Sequence, residues 1–136
     1  PRSIAMLGAI AGDVIGSPWE HTPAPDDFAL FAPRALGVRA FTDDTVLTAA
    51  VAAALLAADA TGDPPDYHSH LLTFARRWPR AGYGGAFRTW MHSADPRPYG
   101  SFGNGSAMRV SPIGWAFDTA DDVLREAAAS AMPTHD

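Results

Sequence analysis

A chain of 136 residues has room for one domain with a sizeable core, and 47% hydrophobic against 18% charged residues is a globular balance. Without Cys there are no disulfides, thiolate metal ligands or cysteine nucleophile, and without Lys there is no Schiff-base or P-loop lysine. A formal charge of −5 makes nucleic acid a poor partner. Twelve Gly and twelve Pro assign much of the chain to loops and turns. No segment reaches the roughly 20 apolar residues that span a bilayer. The apolar stretch from Ile4 to Ile15 is interrupted by Gly8, Gly12 and Asp13 and lacks a cleavage site. The chain therefore reads as a soluble, cytoplasmic protein with no membrane partner. It begins at Pro1 rather than Met, which suggests that an initiator or leader has been removed.

The first predicted helix is capped by Ser3 and runs to about Ile15, with Ile4, Leu7, Ile10 and Ala11 on one face. Gly8, Gly12 and Gly16 give it a thin surface where a second helix backbone could approach closely. Prolines at 18, 23, 25 and 33 then forbid regular structure through most of residues 17–40, a loop length that is uncommon without a function. A second helix over about Asp43 to Asp59 is almost entirely Ala, Val and Leu, the composition of a central buried helix. Asp66 caps a third helix, from Tyr67 to about Trp78, and a short fourth covers about Ala86 to Ser93. His68 and His70 stand two apart on the third helix and so do not face one site. Arg76, Arg77 and Arg80 form the one basic cluster, which a solvated helix end explains. A helix over Ser106 to Phe117 should be strained by Pro112 and Gly114. Thr119 to Asp122 reads as a capping box with Asp at its third helical position, leading a helix from about Ala120 to Ala131. No alternating β-branched run exceeds four or five positions, so the expected class is a compact, all-α, multi-helix domain over residues 1–136.

Four segments could carry chemistry. Thr42-Asp43-Asp44-Thr45 offers hard oxygen ligands of the kind magnesium and manganese take, although capping of the second helix would select much the same string. Glu20 follows a Pro-Trp step, where Trp19 could desolvate its carboxylate toward a useful proton-transfer range. Glycines at 100, 103 and 105 let backbone N–H groups converge on an anion ahead of a helix N-terminus, and Ser101 and Asn104 add side-chain hydrogen bonds. An ordinary Gly-rich turn with a left-handed Asn would look the same. His135 could contact a ligand or be a polar tail residue.

Taken together, these segments resemble one family. Gly-Ala-Ile-Ala-Gly-Asp-Val-Ile-Gly-Ser-Pro-Trp-Glu (8–20), Phe-Thr-Asp-Asp-Thr (41–45), Gly-Ser-Phe-Gly-Asn-Gly-Ser-Ala-Met-Arg-Val-Ser-Pro-Ile-Gly (100–114) and Thr-His-Asp (134–136) follow the order and approximate spacing of the ADP-ribosylglycohydrolases. The resemblance implies an all-helical fold around a two-metal site, magnesium or manganese, that cleaves the bond between ADP-ribose and a protein side chain or small acceptor. It implies Thr42, Asp43 and Asp44 as metal ligands, and Glu20, Asp43 and Asp44 as the catalytic acidic residues. Glu20 would assist a water attacking the anomeric carbon. Gly100, Ser101, Phe102, Gly103 and Asn104 would hold the diphosphate and ribose, with His135 lining the cleft. The partner implied is an ADP-ribosylated protein or other ADP-ribose conjugate.

The chain departs from the family in one respect. Relatives continue past the Thr-His motif to a later Asp-x-Asp-Thr segment that completes the metal site, and this sequence has no second such segment. The expectation is therefore the N-terminal part of the family fold, incomplete at its C-terminus. The alternative is a non-catalytic module that binds ADP-ribose or a nucleotide.

Overall fold

The computed structural model describes residues 2–23, 26 and 40–135, with the backbone alone for residues 2–5. Most of the proline-rich loop expected over 17–40 lies outside the described residues, as does Asp136 of the Thr-His-Asp motif. The described residues are helical and contain no strand. In chain order the helices are α1 (Arg2–Gly16), α2 (Asp43–Thr61), α3 (Tyr67–Arg77), α4 (Gly85–His92), α5 (Gly105–Met108), α6 (Ser111–Ala116) and α7 (Ala120–Ala131), with a 3₁₀ turn over Ser17–Trp19 after α1.

Helix α2 is central through its first three turns. Val46, Leu47, Thr48, Ala50, Val51, Ala52 and Ala54 are buried, with α3, α6 and α1 packed around them. Its start is fixed by the Thr42 hydroxyl, which accepts from the Asp44 N–H at 3.3 Å. Its end is fixed by Gly62, whose left-handed backbone (φ 78°) turns its N–H back onto the Ala58 carbonyl at 2.8 Å. By length and composition α2 could cross a membrane, against the sequence expectation that nothing here could. Its first three turns pack into the protein core, and its last turns, with Leu56 at 71% exposure, leave that core.

The N-terminal half of α2 meets Leu71 and Ala75 of α3, Phe87, Trp90 and Met91 of α4, and Ile113 of α6 in one cluster. Each large apolar side chain buried there contributes about 1.5–3 kcal/mol. Tyr83 stacks on Phe87 at 5.1 Å, ahead of α4. The Tyr67 hydroxyl donates to Glu126 at 2.9 Å and ties α3 to α7. Arg76 is more than a solvated helix end: its Nε donates to the Met91 carbonyl at 2.7 Å and closes the last turn of α4. His68 and His70 diverge as their spacing required, one to the Pro96 carbonyl and the other to that of Asp66.

Two further expectations fail. The first concerns α1, which begins at Arg2 and so places Ser3 inside its first turn. Leu7 is 63% exposed, and a Cβ added at Gly8, Gly12 or Gly16 would meet nothing within 4 Å, so among the described residues no helix backbone presses on the glycine stripe. The second concerns the single helix over 106–117, which is two helices. In a continuous helix the Pro112 ring would clash with the carbonyl four residues back, that of Met108. The chain breaks at Arg109-Val110 instead, Pro112 sits in the first turn of α6 where no N–H is needed, and the Met108 carbonyl accepts from the Thr48 hydroxyl at 3.3 Å.

Candidate active site at the start of helix α2

The N-terminus of α2 stands between two clefts. One, of about 460 Å³, is lined by Asp13, Glu20, Thr42 and Asp44 together with the glycine stripe of α1. The other, of about 520 Å³, is lined by Asp43, the 100–105 loop, Arg109, Thr134 and His135. The adjacent carboxylates of Asp43 and Asp44 thus serve different clefts, and Met108 borders both. The structure brings Glu20 to Thr42 and Asp44 on one side and the loop and His135 to Asp43 on the other.

Asp13 organises this helix start. Its carboxylate accepts from the Thr42 N–H and hydroxyl at 2.7 Å each, and from the Thr45 N–H at 3.2 Å and hydroxyl at 2.5 Å. The Thr45 hydroxyl, like that of Thr42, thus gives its proton to Asp13. Thr42 has spent its proton but keeps lone-pair capacity. Asp43 is crowded differently. Burial first, then the neighbouring Asp44 and more weakly Glu20 and Asp13, push its carboxyl up to about 6. Gly82, at φ 102°, borders it at ordinary contact distance, a Cβ there standing 3.5 Å from Asp43 Oδ1. Asp44 is raised in the same direction by burial and by the Asp13 charge, against the Thr42 hydrogen bond. Glu20 ends the 3₁₀ turn with its side chain exposed, so the burial expected from Trp19 is not found.

The donor chemistry suits a divalent cation, because hard carboxylate oxygens are packed closely enough to oppose their own ionisation. Their number falls short: among the described residues no group of three or more His, Asp or Glu side chains is arranged to hold a metal ion. Thr42, Asp43 and Asp44 carry oxygen donors of the right kind that, among the described residues, do not enclose a cation by themselves.

Across the second cleft the 100–105 loop makes its own bonds. The Ser101 N–H donates to the Thr134 carbonyl at 3.0 Å, and the Gly103 N–H to Ser101 Oγ at 3.3 Å. Asn104 has a right-handed backbone and precedes α5, which is a single turn, so the dipole expected from a long following helix is small. Phe102 projects at full exposure. His135 reaches the Gly103 carbonyl through Nε2 at 3.1 Å. Beneath it lies Arg109, wholly buried, whose Nη2 donates to the Ser130 carbonyl and the Thr134 hydroxyl at 2.9 Å each. Burial pushes this guanidinium down to about 10, with Tyr99 opposing the shift.

The sequence model of the ADP-ribosylglycohydrolases matches residues 4–136. The chain belongs to the ADP-ribosylglycohydrolase family. Similar members of the family include the ADP-ribosylhydrolase ARH3 of Xenopus tropicalis, 29% identical over 96% of this chain and 43% of the relative. Those of Mus musculus and Danio rerio are 32% and 31% identical, again over 96% of this chain and over 42% and 41% of the relatives. The chain thus spans less than half the length of these ADP-ribosylglycohydrolase relatives. Its all-helical architecture is the one the family resemblance implied.

Sequence reasoning missed Asp13, Arg109 and Thr134 as site residues. Asp13 had a signal, since it is a carboxylate inside the apolar run from Ile4 to Ile15. Arg109 and Thr134 lay inside the motifs, but their partners sit 25 residues apart in the chain and only the fold joins them.

Proposed function

We propose that this chain supplies the Asp-Asp helix start and ligand cleft of a hydrolase that cleaves the glycosidic bond between ADP-ribose and a modified protein side chain or small acceptor. The observation that carries the reading is the placement of Asp43 across one cleft from the 100–105 loop and His135, with Asp44 and Glu20 in the adjoining cleft. Family membership supports the same chemistry.

Hydrolysis adds the oxygen of water to the anomeric carbon, breaks the bond to the acceptor and delivers a proton to the departing group. Exposed Glu20 is free to take a proton from that water. The 100–105 loop and Phe102 hold the nucleotide end and His135 borders it. Thr42, Asp43 and Asp44 would contribute part of the ligand set of magnesium or manganese, which when bound would supply Lewis-acid polarisation near the reacting carbon. Asp13 holds the ligand string in register through Thr42 and Thr45.

Calorimetry with ADP-ribose, with and without magnesium, together with turnover of an ADP-ribosylated peptide by wild type and Asp43→Ala, tests this reading. Magnesium-dependent turnover lost in Asp43→Ala is expected. Tight, magnesium-independent binding without turnover would instead favour a binding module, a reading consistent with a loop cleft built from this chain's own residues. Turnover retained in Asp43→Ala would overturn the assignment.

A further inference from the structure

We infer that the buried Arg109–Thr134 pair fixes the tautomer of His135, making Arg109 a positioning residue for the 100–105 loop. The four groups form a chain of hydrogen bonds: Arg109 Nη2 to Thr134 Oγ1 at 2.9 Å, Thr134 Oγ1 to His135 Nδ1 at 2.8 Å, and His135 Nε2 to the Gly103 carbonyl at 3.1 Å. Both ends have a fixed polarity. A guanidinium can only donate, and a carbonyl oxygen can only accept. At the carbonyl end, Nε2 must therefore carry the proton, and in the neutral ring Nδ1 is left as an acceptor. At the arginine end, Thr134 Oγ1 must accept. The hydroxyl then has one proton to give, and Nδ1 at 2.8 Å is better placed to take it than the Ala131 carbonyl at 3.4 Å. Donation runs one way, from Arg109 through Thr134 and His135 to Gly103.

Burial makes this polarity hard to reverse. Arg109, Thr134 and Ser130 are each 0% exposed, and Arg109 Nε and Nη1 have no hydrogen-bond partner among the described residues, so the guanidinium is held there through Nη2. Reorienting it would cost the bonds to both Ser130 and Thr134. The consequence falls on the loop, which is held from the same two residues: Gly103 through the imidazole, and Ser101 through its N–H to the Thr134 carbonyl at 3.0 Å. Gly105 lies against the same ring, a Cβ there standing 3.7 Å from Cε1. The buried cation and the Gly103 carbonyl thus select the same tautomer from opposite ends, whatever ligand the cleft takes.

Nitrogen-15 NMR of the histidine-labelled chain above the imidazole titration range reads the tautomer directly, with the His135 signals assigned by their loss in His135→Gln. A protonated Nε2 with an unprotonated Nδ1 is expected in the wild type; Nδ1–H or an averaged mixture overturns the inference. Thr134→Ser, which keeps the hydroxyl, should preserve the pattern, and Thr134→Val, which leaves the Gly103 carbonyl alone to select the tautomer, should add a population with Nδ1 protonated. An unchanged pattern in folded Thr134→Val would overturn the relay. Arg109→Met should shift the pattern in the same direction as Thr134→Val, and an unchanged pattern in folded Arg109→Met would remove Arg109 from it. If Arg109→Met does not fold, the two Thr134 variants decide.

Discussion

The Asp13 carboxylate holds Thr42 by both its backbone N–H and its hydroxyl, each at 2.7 Å, so a residue of α1 fixes the first turn of α2. With the two bonds from Thr45, one carboxylate satisfies two N–H groups that no helix can satisfy internally. Hydrogen bonds to a charged group contribute about 1.5–3 kcal/mol each and do not add fully. Asp13→Ala should therefore destabilise the chain by about 2–4 kcal/mol, and Asp13→Asn, which keeps one acceptor oxygen, by less. Urea unfolding of the three proteins measures this, and an unshifted midpoint in Asp13→Ala would show that the clamp contributes nothing to stability.

Asp43 presents the opposite case, a carboxylate the fold tolerates at a cost. Burial and the Asp44 charge push it up to about 6, so at neutral pH the folded state carries an unfavourable charge there. Asp43→Asn should raise stability on the order of 1 kcal/mol after discounting for solvent screening of a partly exposed group, or roughly 4 °C in melting temperature. It should also abolish turnover. Thermal melts at neutral pH test the first part. Millimolar magnesium should stabilise the wild type more than the variant, and an equal effect on both would mean that Asp43 is not where the cation acts.

Local chemistry was legible in the sequence; long-range partnership was not. Asp66, Thr42 and Thr119 cap helices as their positions required, since a cap needs only a backbone N–H two or three residues on. The Ala-rich run became the central helix for the same reason, its apolar composition being complete within itself. The glycine stripe of α1 misled because small residues permit a close approach without causing one, and here they border a cleft. Glu20, Asp43 and the Gly-rich loop could be named as candidates, but their division between two clefts depends on how α1 and the 100–105 loop pack on either side of α2.

Asp66 gives a pH signature away from the site. Its carboxyl is held below the usual value of 3.8, chiefly by the Ser69 N–H at 2.9 Å and also by the Ser69 hydroxyl. A depressed folded-state pKa contributes stability that is complete above the unfolded value and lost as pH falls through the folded one. Asp66→Ala should cost about 1 kcal/mol near neutral pH, the usual worth of an N-cap, and progressively less below about pH 3.8. Urea unfolding near neutral pH and at about pH 2.5 would reveal this, and a penalty of the same size at both would mean that the ionised carboxylate is not the operative cap.

Phe102 tests the ligand cleft without touching the fold. It is an aromatic ring at full exposure within the loop that lines the cleft. Burial cannot explain it, so its removal should leave stability within about 0.5 kcal/mol of wild type. If the cleft takes the nucleotide end of ADP-ribose, this ring is placed to stack on the base or ribose. A stacked base is worth about 1–3 kcal/mol, so Phe102→Ala should weaken ADP-ribose binding by roughly 5- to 150-fold. Phe102→Tyr, which keeps the aromatic face, should bind as the wild type does. Calorimetric titration of the three proteins separates the outcomes. An affinity unchanged in Phe102→Ala would place the nucleotide elsewhere, whereas equal losses in Ala and Tyr would point to a contact specific to the unsubstituted ring edge rather than stacking.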